Sequence, residues 1–245
     1  MRILQTIMLF LFCNSVFAKY PDGNMILKQI DENMYAKSMI STSQMLIHSR
    51  RGSRTMTLKS WTEGNTKSFS EYLAPPKDAG TKMLKLDDKL WIYNPAADRT
   101  IQISGHMLRQ SMMGSDISYE DMMEENEISK IYSAETVNEV VYKERNCWVL
   151  ELTANTDATA YHTRKVLIDK EKMLPLKEER YGKSGKLLKT TEILEVMKVG
   201  NRWYPKRMIF KDVLKQGEGT EFVIDEIQLD VEIHESRFSK AALRK

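Results

Sequence analysis

The chain has 245 residues, 42% of them hydrophobic, and its 37 Lys and Arg against 34 Asp and Glu leave a formal charge of only +3. The two signs are interleaved along the sequence, so no basic stripe is available for nucleic acid. The length allows one β-rich domain or two small ones.

Residues Met1 to Ala18 have the three parts of a secretory signal. Arg2 supplies a short basic region, Ile3 to Cys13 is an almost unbroken apolar run, and Val16-Phe17-Ala18 provides the cleavage site. A membrane anchor is the competing reading, but the run falls short of the roughly 20 residues a spanning helix needs. Phe12 stands before Cys13 where a lipid-anchoring motif needs a small residue. The expectation is cleavage after Ala18, export to the periplasm, and one mature domain over 19–245. Cys147 is then the sole cysteine, so no internal disulfide forms and the core must hold the fold.

Asp22-Gly23 opens a segment, Asn24 to Lys37, in which Ile26, Leu27, Ile30 and Met34 recur at helical spacing, with Asp22 placed as N-cap. The period then changes. Met45 and Ile47, and again Met56 and Leu58, alternate with polar neighbours, and Arg51-Gly52-Ser53 between them reads as a hairpin connection. Gly64-Asn65 marks the next turn before Phe69, Tyr72 and Leu73. Pro75, Pro76 and Gly80 then separate this run from Met83 to Leu86. These short strands and tight turns predict an antiparallel meander.

Leu90 to Met123 reads LWIYNPAADRTIQISGHMLRQSMMGSDISYEDMM. It begins as a strand in which Trp91 and Tyr93 alternate with Leu90 and Ile92, so both faces are apolar. Asn94-Pro95 then starts a turn. A Met-rich run follows and is broken by Gly114-Ser115-Asp116, with Gly105 and Gly114 as hinges. Ser118 with Asp121 has the spacing of a capping box. The stretch reads as a wall and a lid. Methionine fills irregular and variable apolar spaces, and five of the chain's 16, Met107, Met112, Met113, Met122 and Met123, fall here.

In the second half Trp148, Leu150 and Leu152 share one face. Further runs centre on Val166 to Ile168, Leu174 to Tyr181, Leu187 to Val199, Trp203 to Leu214 with Met208 and Phe210, and Phe222 to Ile233. The last alternates cleanly through Ile227, Leu229, Val231 and Ile233, as a sheet with one wet face does. Ten or eleven antiparallel strands against one long helix predict a mainly β (α+β) fold, a single strongly curved sheet or a barrel. Only the first helix and Met107 to Met123 are available to cover its inner face. A gap lined by methionine, leucine and aromatics is a ligand pocket by default, although a two-layer sandwich would bury such strands without one. The candidate lining is Ile26, Ile30, Met34, Met45, Met56, Leu58, Trp91, Tyr93, Met107, Met112, Met113, Trp148, Met208 and Phe210.

Catalytic signatures are absent. His48, His106, His162 and His234 lie far apart without zinc-ligand spacing, and Ser115 lacks the Gly-x-Ser-x-Gly elbow of a hydrolase. Asp116, Glu120, Asp121, Glu124, Glu125 and Glu127 do not fit a calcium loop. An N-terminal helical turn favours Glu120 and Asp121 without any metal. The sequence therefore predicts no enzyme, no metal and no cofactor.

The order of a secretory signal, a first helix, a meander, the strand LWIYNP and the run QSMMGSDISYEDM resembles the LolA-like superfamily of outer-membrane lipoprotein-sorting proteins (LolA/LolB/RseB-like fold). It does so over nearly the whole mature chain. Leu90 to Pro95 and Met113 to Asp121 are the most specific parts, and MGSD-x-SYED is similar to that of a subfamily distinct from the best-known periplasmic carrier. The resemblance implies a half-barrel of about eleven antiparallel strands wrapped over helices, with an apolar cavity for the acyl chains of lipids or lipoproteins. It also implies no cofactor, no catalysis, and work alongside inner-membrane exporters of the resistance-nodulation-division (RND) type. The best-known carrier is thought to hold its lid with an arginine, for which Arg99 and Arg109 are the candidates here. The expected function is a monomeric periplasmic carrier or receptor for acyl chains, in sorting between membranes. The alternative is an interaction or signalling module that docks on an inner-membrane partner and carries nothing, with a hydrolase as a third reading.

Overall fold

The computed structural model describes residues 20–49, 52–124 and 127–244. The signal segment, Arg51 of the first hairpin turn and Glu125 of the acidic run lie outside the described residues. Helix α1 (Gly23–Met34) starts where expected, Asp22 accepting the Asn24 amide at 2.8 Å, and buries Ile26, Leu27 and Ile30. It ends at Met34, short of Lys37, because Tyr35 is already extended.

Thirteen strands follow: β1 (Ser38–Ser49), β2 (Gly52–Glu63), β3 (Lys67–Ala74), β4 (Lys82–Leu86), β5 (Lys89–Asn94), β6 (Arg99–Ile103), β7 (Tyr132–Tyr142), β8 (Arg145–Ala154), β9 (Thr163–Asp169), β10 (Leu174–Tyr181), β11 (Leu187–Val199), β12 (Arg202–Asp212) and β13 (Thr220–Leu229). They form one antiparallel sheet in the order β6-β5-β4-β3-β2-β1-β13-β12-β11-β10-β9-β8-β7. The sheet is curved and open, a half-barrel, and one sheet replaces the two layers of the sandwich alternative. Ten or eleven strands were expected. The two missed, β6 and β7, are its edges, where a strand pairs on one side only and needs less apolar sequence; Ser133, Glu135, Glu139 and Val141 of β7 are exposed. Strand β13 stops at Leu229, before the predicted Ile233. Asp230 turns the chain with φ 56°, its carboxylate accepting from the Lys37 amide at 2.9 Å and pairing with Arg202 at 2.9 Å.

The topology decides what covers the inner face. The strands β6 and β7 are opposite edges, so the segment joining them, 104–131, has to cross the mouth of the half-barrel. It carries α2 (Tyr119–Met123) and α3 (Ile128–Ile131). Beneath it, cross-strand register aligns Met45 with both Met56 and Phe222, Leu58 with Tyr72, Met83 with Ile92, and Leu90 with Ile103. Under α1, Tyr132, Leu150, Leu152, Val166 and Ile168 form a second apolar cluster.

A third cluster lies on the opposite face. Phe69, Leu84 and Trp91 are covered by two 3-10 turns, Glu235–Phe238 and Lys240–Arg244, through Phe238 and Leu243. Arg237 lies 4.2 Å over the Trp61 ring and Lys240 4.3 Å over Trp91, cation–π contacts that add to this strap. Trp91 and Tyr93 belong here, because strand alternation that points Leu90 and Ile92 under the flap must point their neighbours away. Their expected place in the inner lining is thereby corrected.

Candidate ligand-binding site

The inner face of β1–β6 and the crossing segment, the flap, meet in a methionine-rich interface. Met45, Met56, Leu58, Tyr72, Met83, Leu90, Met112 and Ile117 are buried in it, and Met107, Met113, Tyr119, Met122, Met123 and Phe210 pack against it. Of the predicted lining, Met45, Met56, Leu58, Met107, Met112, Met113 and Phe210 therefore come together. Met208 is buried beside them at the register position opposite Phe222. Ile26, Ile30, Met34 and Trp148 lie in the separate cluster under α1. The space assigned to a ligand is occupied by these side chains; Met45 and Met56 have no exposed surface. Surface clefts of about 510, 480 and 540 Å³ are lined by other residues.

Polar bonds fasten the flap. The Arg54 guanidinium donates to the Met113 carbonyl, where Met113 (φ 52°) and Gly114 (φ 75°) are both left-handed. Asp116 is buried and accepts from the Thr220 hydroxyl at 2.9 Å and the Asp212 amide at 3.0 Å, while its own amide donates to Thr220 Oγ1 at 2.9 Å. Lys215 donates to Ser111 Oγ and the Ser115 carbonyl. The Ser115 hydroxyl donates to the Ile117 carbonyl at 3.1 Å and accepts from the Ile117 amide at 3.2 Å, a local turn inside the flap.

The expected capping box forms at the start of α2: Asp121 Oδ2 accepts the Ser118 amide at 2.7 Å and the Asp121 amide donates to Ser118 Oγ at 3.2 Å. The same carboxylate reaches the sheet. Tyr161 donates to it at 2.6 Å, Arg180 at 3.3 Å, and Lys189 pairs with it closely. Glu124 pairs with Arg164, whose side chain is wholly buried and which also donates to Glu178 at 2.8 Å; Arg180 reaches the other Glu178 oxygen at 2.8 Å. Arg164 lies 4.4 Å over the Tyr132 ring. It thus joins the α1 cluster to the flap, since Glu124 follows Met123.

Burial pushes the Asp121 carboxyl up, but Lys189, with the hydrogen bonds from Lys189, Tyr161 and the Ser118 amide, outweighs it and holds the group at about 2. Glu178 is likewise held at about 2 by Arg180 and Arg164 against its own burial. Burial lowers Arg164 to about 10. Both carboxylates are therefore charged at neutral pH, and the cluster is a buried ionic latch.

Arg99 and Arg109 are exposed, and the cations that hold the flap among the described residues include Arg54, Lys85, Arg164, Arg180, Lys189, Lys211 and Lys215. The sequence did carry a signal for one of them. Arg164 continues the inner-face alternation of Val166 and Ile168, so a charge stands where the period demands an apolar residue; Glu178 and Arg180 share that face only through register, opposite Val166 and Arg164, because β10 shifts register between Pro175 and Lys177. Among the described residues no three His, Cys, Asp or Glu side chains converge to hold a metal ion. Nor is any helix there long and apolar enough to cross a membrane.

A family model described as "Uncharacterized protein" matches residues 64–245. No curated protein matches the sequence. Solved structures do match. A domain assigned to outer-membrane lipoprotein sorting, from Vibrio parahaemolyticus, superposes with TM-score 0.80 at 23% identity, over 91% of this chain and 98% of that one. A DUF1329 family protein from Desulfovibrio piger gives 0.81 at 24% identity, over 90% and 97%. A LolA superfamily protein from Nitrosomonas europaea gives 0.75 at 21% identity, over 91% and 100%. The half-barrel with its crossing flap is the LolA fold.

Proposed function

The chain belongs to the family described by that model, and we propose that it is a periplasmic carrier or receptor that takes acyl chains of a lipoprotein or lipid between sheet and flap. The observation that carries this reading is the interface itself. Eight methionines, four buried and four partly so, separate a sheet from a cover that makes no strand ladder with it among the described residues. Thioethers re-pack around a variable guest at low cost. Each buried methylene contributes about 0.8 kcal/mol, so a long chain offsets lifting the cover. Residues 1–18 direct export and are removed, 19–245 act as one binding domain, and an inner-membrane partner of RND type supplies or takes the cargo. The role is binding and needs no catalytic group. The Vibrio and Nitrosomonas relatives, described as a lipoprotein-sorting domain and a LolA superfamily protein, support this direction.

One observation favours a second reading, a docking or signalling module that carries nothing: the inner space is filled by side chains. Native mass spectrometry of protein purified without detergent, followed by lipid transfer between vesicles, separates the two. Bound amphiphile and faster transfer are the expected results. Protein free of amphiphile that moves no lipid overturns the carrier reading.

A further inference from the structure

The latch contains an arrangement that flap closure alone does not require. Cross-strand register sets Arg164 of β9 opposite Arg180 of β10, and Arg180 opposite Lys189 of β11. Three cations thus stand in one row across adjacent strands, where like charges destabilise a sheet. The sheet supplies one carboxylate against them, Glu178; the other two, Asp121 and Glu124, belong to the flap. Closed, the cluster has three cations and three carboxylates. Lifting α2 withdraws two of the carboxylates and leaves a net +2 against Glu178 alone, a concentration of positive charge that attracts a new anion.

We propose that this row is the seat for the anionic head of an amphiphilic ligand, a phosphate or carboxylate, which takes the places of Asp121 and Glu124 as the flap lifts. The inference rests on the carrier reading above and names the chemistry its site selects. Four observations support it. The row is pre-formed, with the Arg164 guanidinium stacked on Tyr132 at 4.4 Å and Arg180 5.4 Å from the Tyr161 ring. Arg164 Nε is buried without a hydrogen-bond partner among the described residues, a donor still open to a ligand oxygen. Asp121 and Glu124 bracket Met122 and Met123, so an acyl chain among the methionines places its head beside the row. Finally, the cleft of about 540 Å³ lined in part by Ser118, Glu120, Tyr161 and Lys189 connects this point with solvent. Arginine and lysine in such a row suit the multiple acceptors of phosphate.

The test uses the delipidated mature protein and calorimetric titration with three probes of equal chain length, dodecyl phosphate, dodecanoate and dodecanol, together with inorganic phosphate alone. The two anionic probes are expected to bind at least about tenfold more tightly than dodecanol, as charge-assisted hydrogen bonds imply, and inorganic phosphate far more weakly. Lys189→Gln and Arg180→Gln should lose that preference. Should Arg180→Gln fail to fold, Lys189→Gln carries the test. Asp121→Asn with Glu124→Gln should bind dodecyl phosphate more tightly without an equal gain for dodecanol, because the competing carboxylates are gone; a latch that only holds the flap shut predicts the same gain for both. Equal affinity for all three chains overturns the anionic seat and leaves the carrier reading standing. Binding of none of them overturns the carrier reading itself. Inorganic phosphate binding as tightly as dodecyl phosphate makes the row a free-anion site and also overturns the proposal.

Discussion

At Asp121 one carboxylate serves two geometries, closing the capping box with Ser118 and anchoring α2 to Lys189, Arg180 and Tyr161. Capping alone accounts for an acid at this position on an exposed turn, and the sequence shows no more than that. The second role has a pH signature. Asp121 and Glu178 sit at about 2 in the fold, below their unfolded values near 4, so each stabilises the protein above about pH 5. That contribution is lost as pH falls toward about 2, and it amounts to on the order of 2 kcal/mol per group. Denaturant unfolding across this range should show stability falling through the acid limb. Asp121→Asn should lower stability near pH 7 by on the order of 2 kcal/mol and flatten that limb. An unchanged acid limb in the variant would show that Asp121 is no anchor.

Among the elements, α1 and β7 depend on each other at one point. A Cβ built on Gly23 would lie 2.6 Å from the Ala134 carbonyl oxygen and 2.9 Å from the Glu135 carbonyl carbon, and neither backbone group can move aside. Asn24 Oδ1 meanwhile accepts the Ala134 amide at 2.8 Å. The helix start thus covers part of an edge that would otherwise invite pairing. Gly23→Ala should cost about 1–3 kcal/mol through overpacking, read as a fall of several degrees in Tm. Edge character also explains why β6 and β7 escaped a reading based on apolar alternation, whereas β8 to β13, paired on both sides, were found.

For the whole molecule the decisive fact is that β1 pairs with β13, joining the two meanders and leaving the flap to run between the free edges β6 and β7. Since the flap makes no ladder with the sheet among the described residues, it can lift while every strand pair stays intact. Hydrogen exchange should then show 107–123 opening with a free energy well below that of global unfolding, with β1 and β13 among the last to exchange. Exchange of 107–123 only through global unfolding would rule out a mobile cover.

The sequence by itself determined the periods: α1 with its Asp22 cap, most of the strands, the capping box at Ser118 and Asp121, and the methionine stretch as a cover. These are legible because each follows from neighbours within a few residues and from the repeat of 3.6 or 2. Tertiary structure alone decided which face of each strand is inner, and so placed Leu90 under the flap and Trp91 beneath the C-terminal strap. Face is a property of register, which is fixed between strands distant in the chain. It decided equally that Arg164, Arg180 and Lys189 stand in one row against Asp121 and Glu124, with partners 40, 59 and 68 residues apart in sequence. A charge on an apolar face can be seen in the sequence, but its counterion is chosen by the fold.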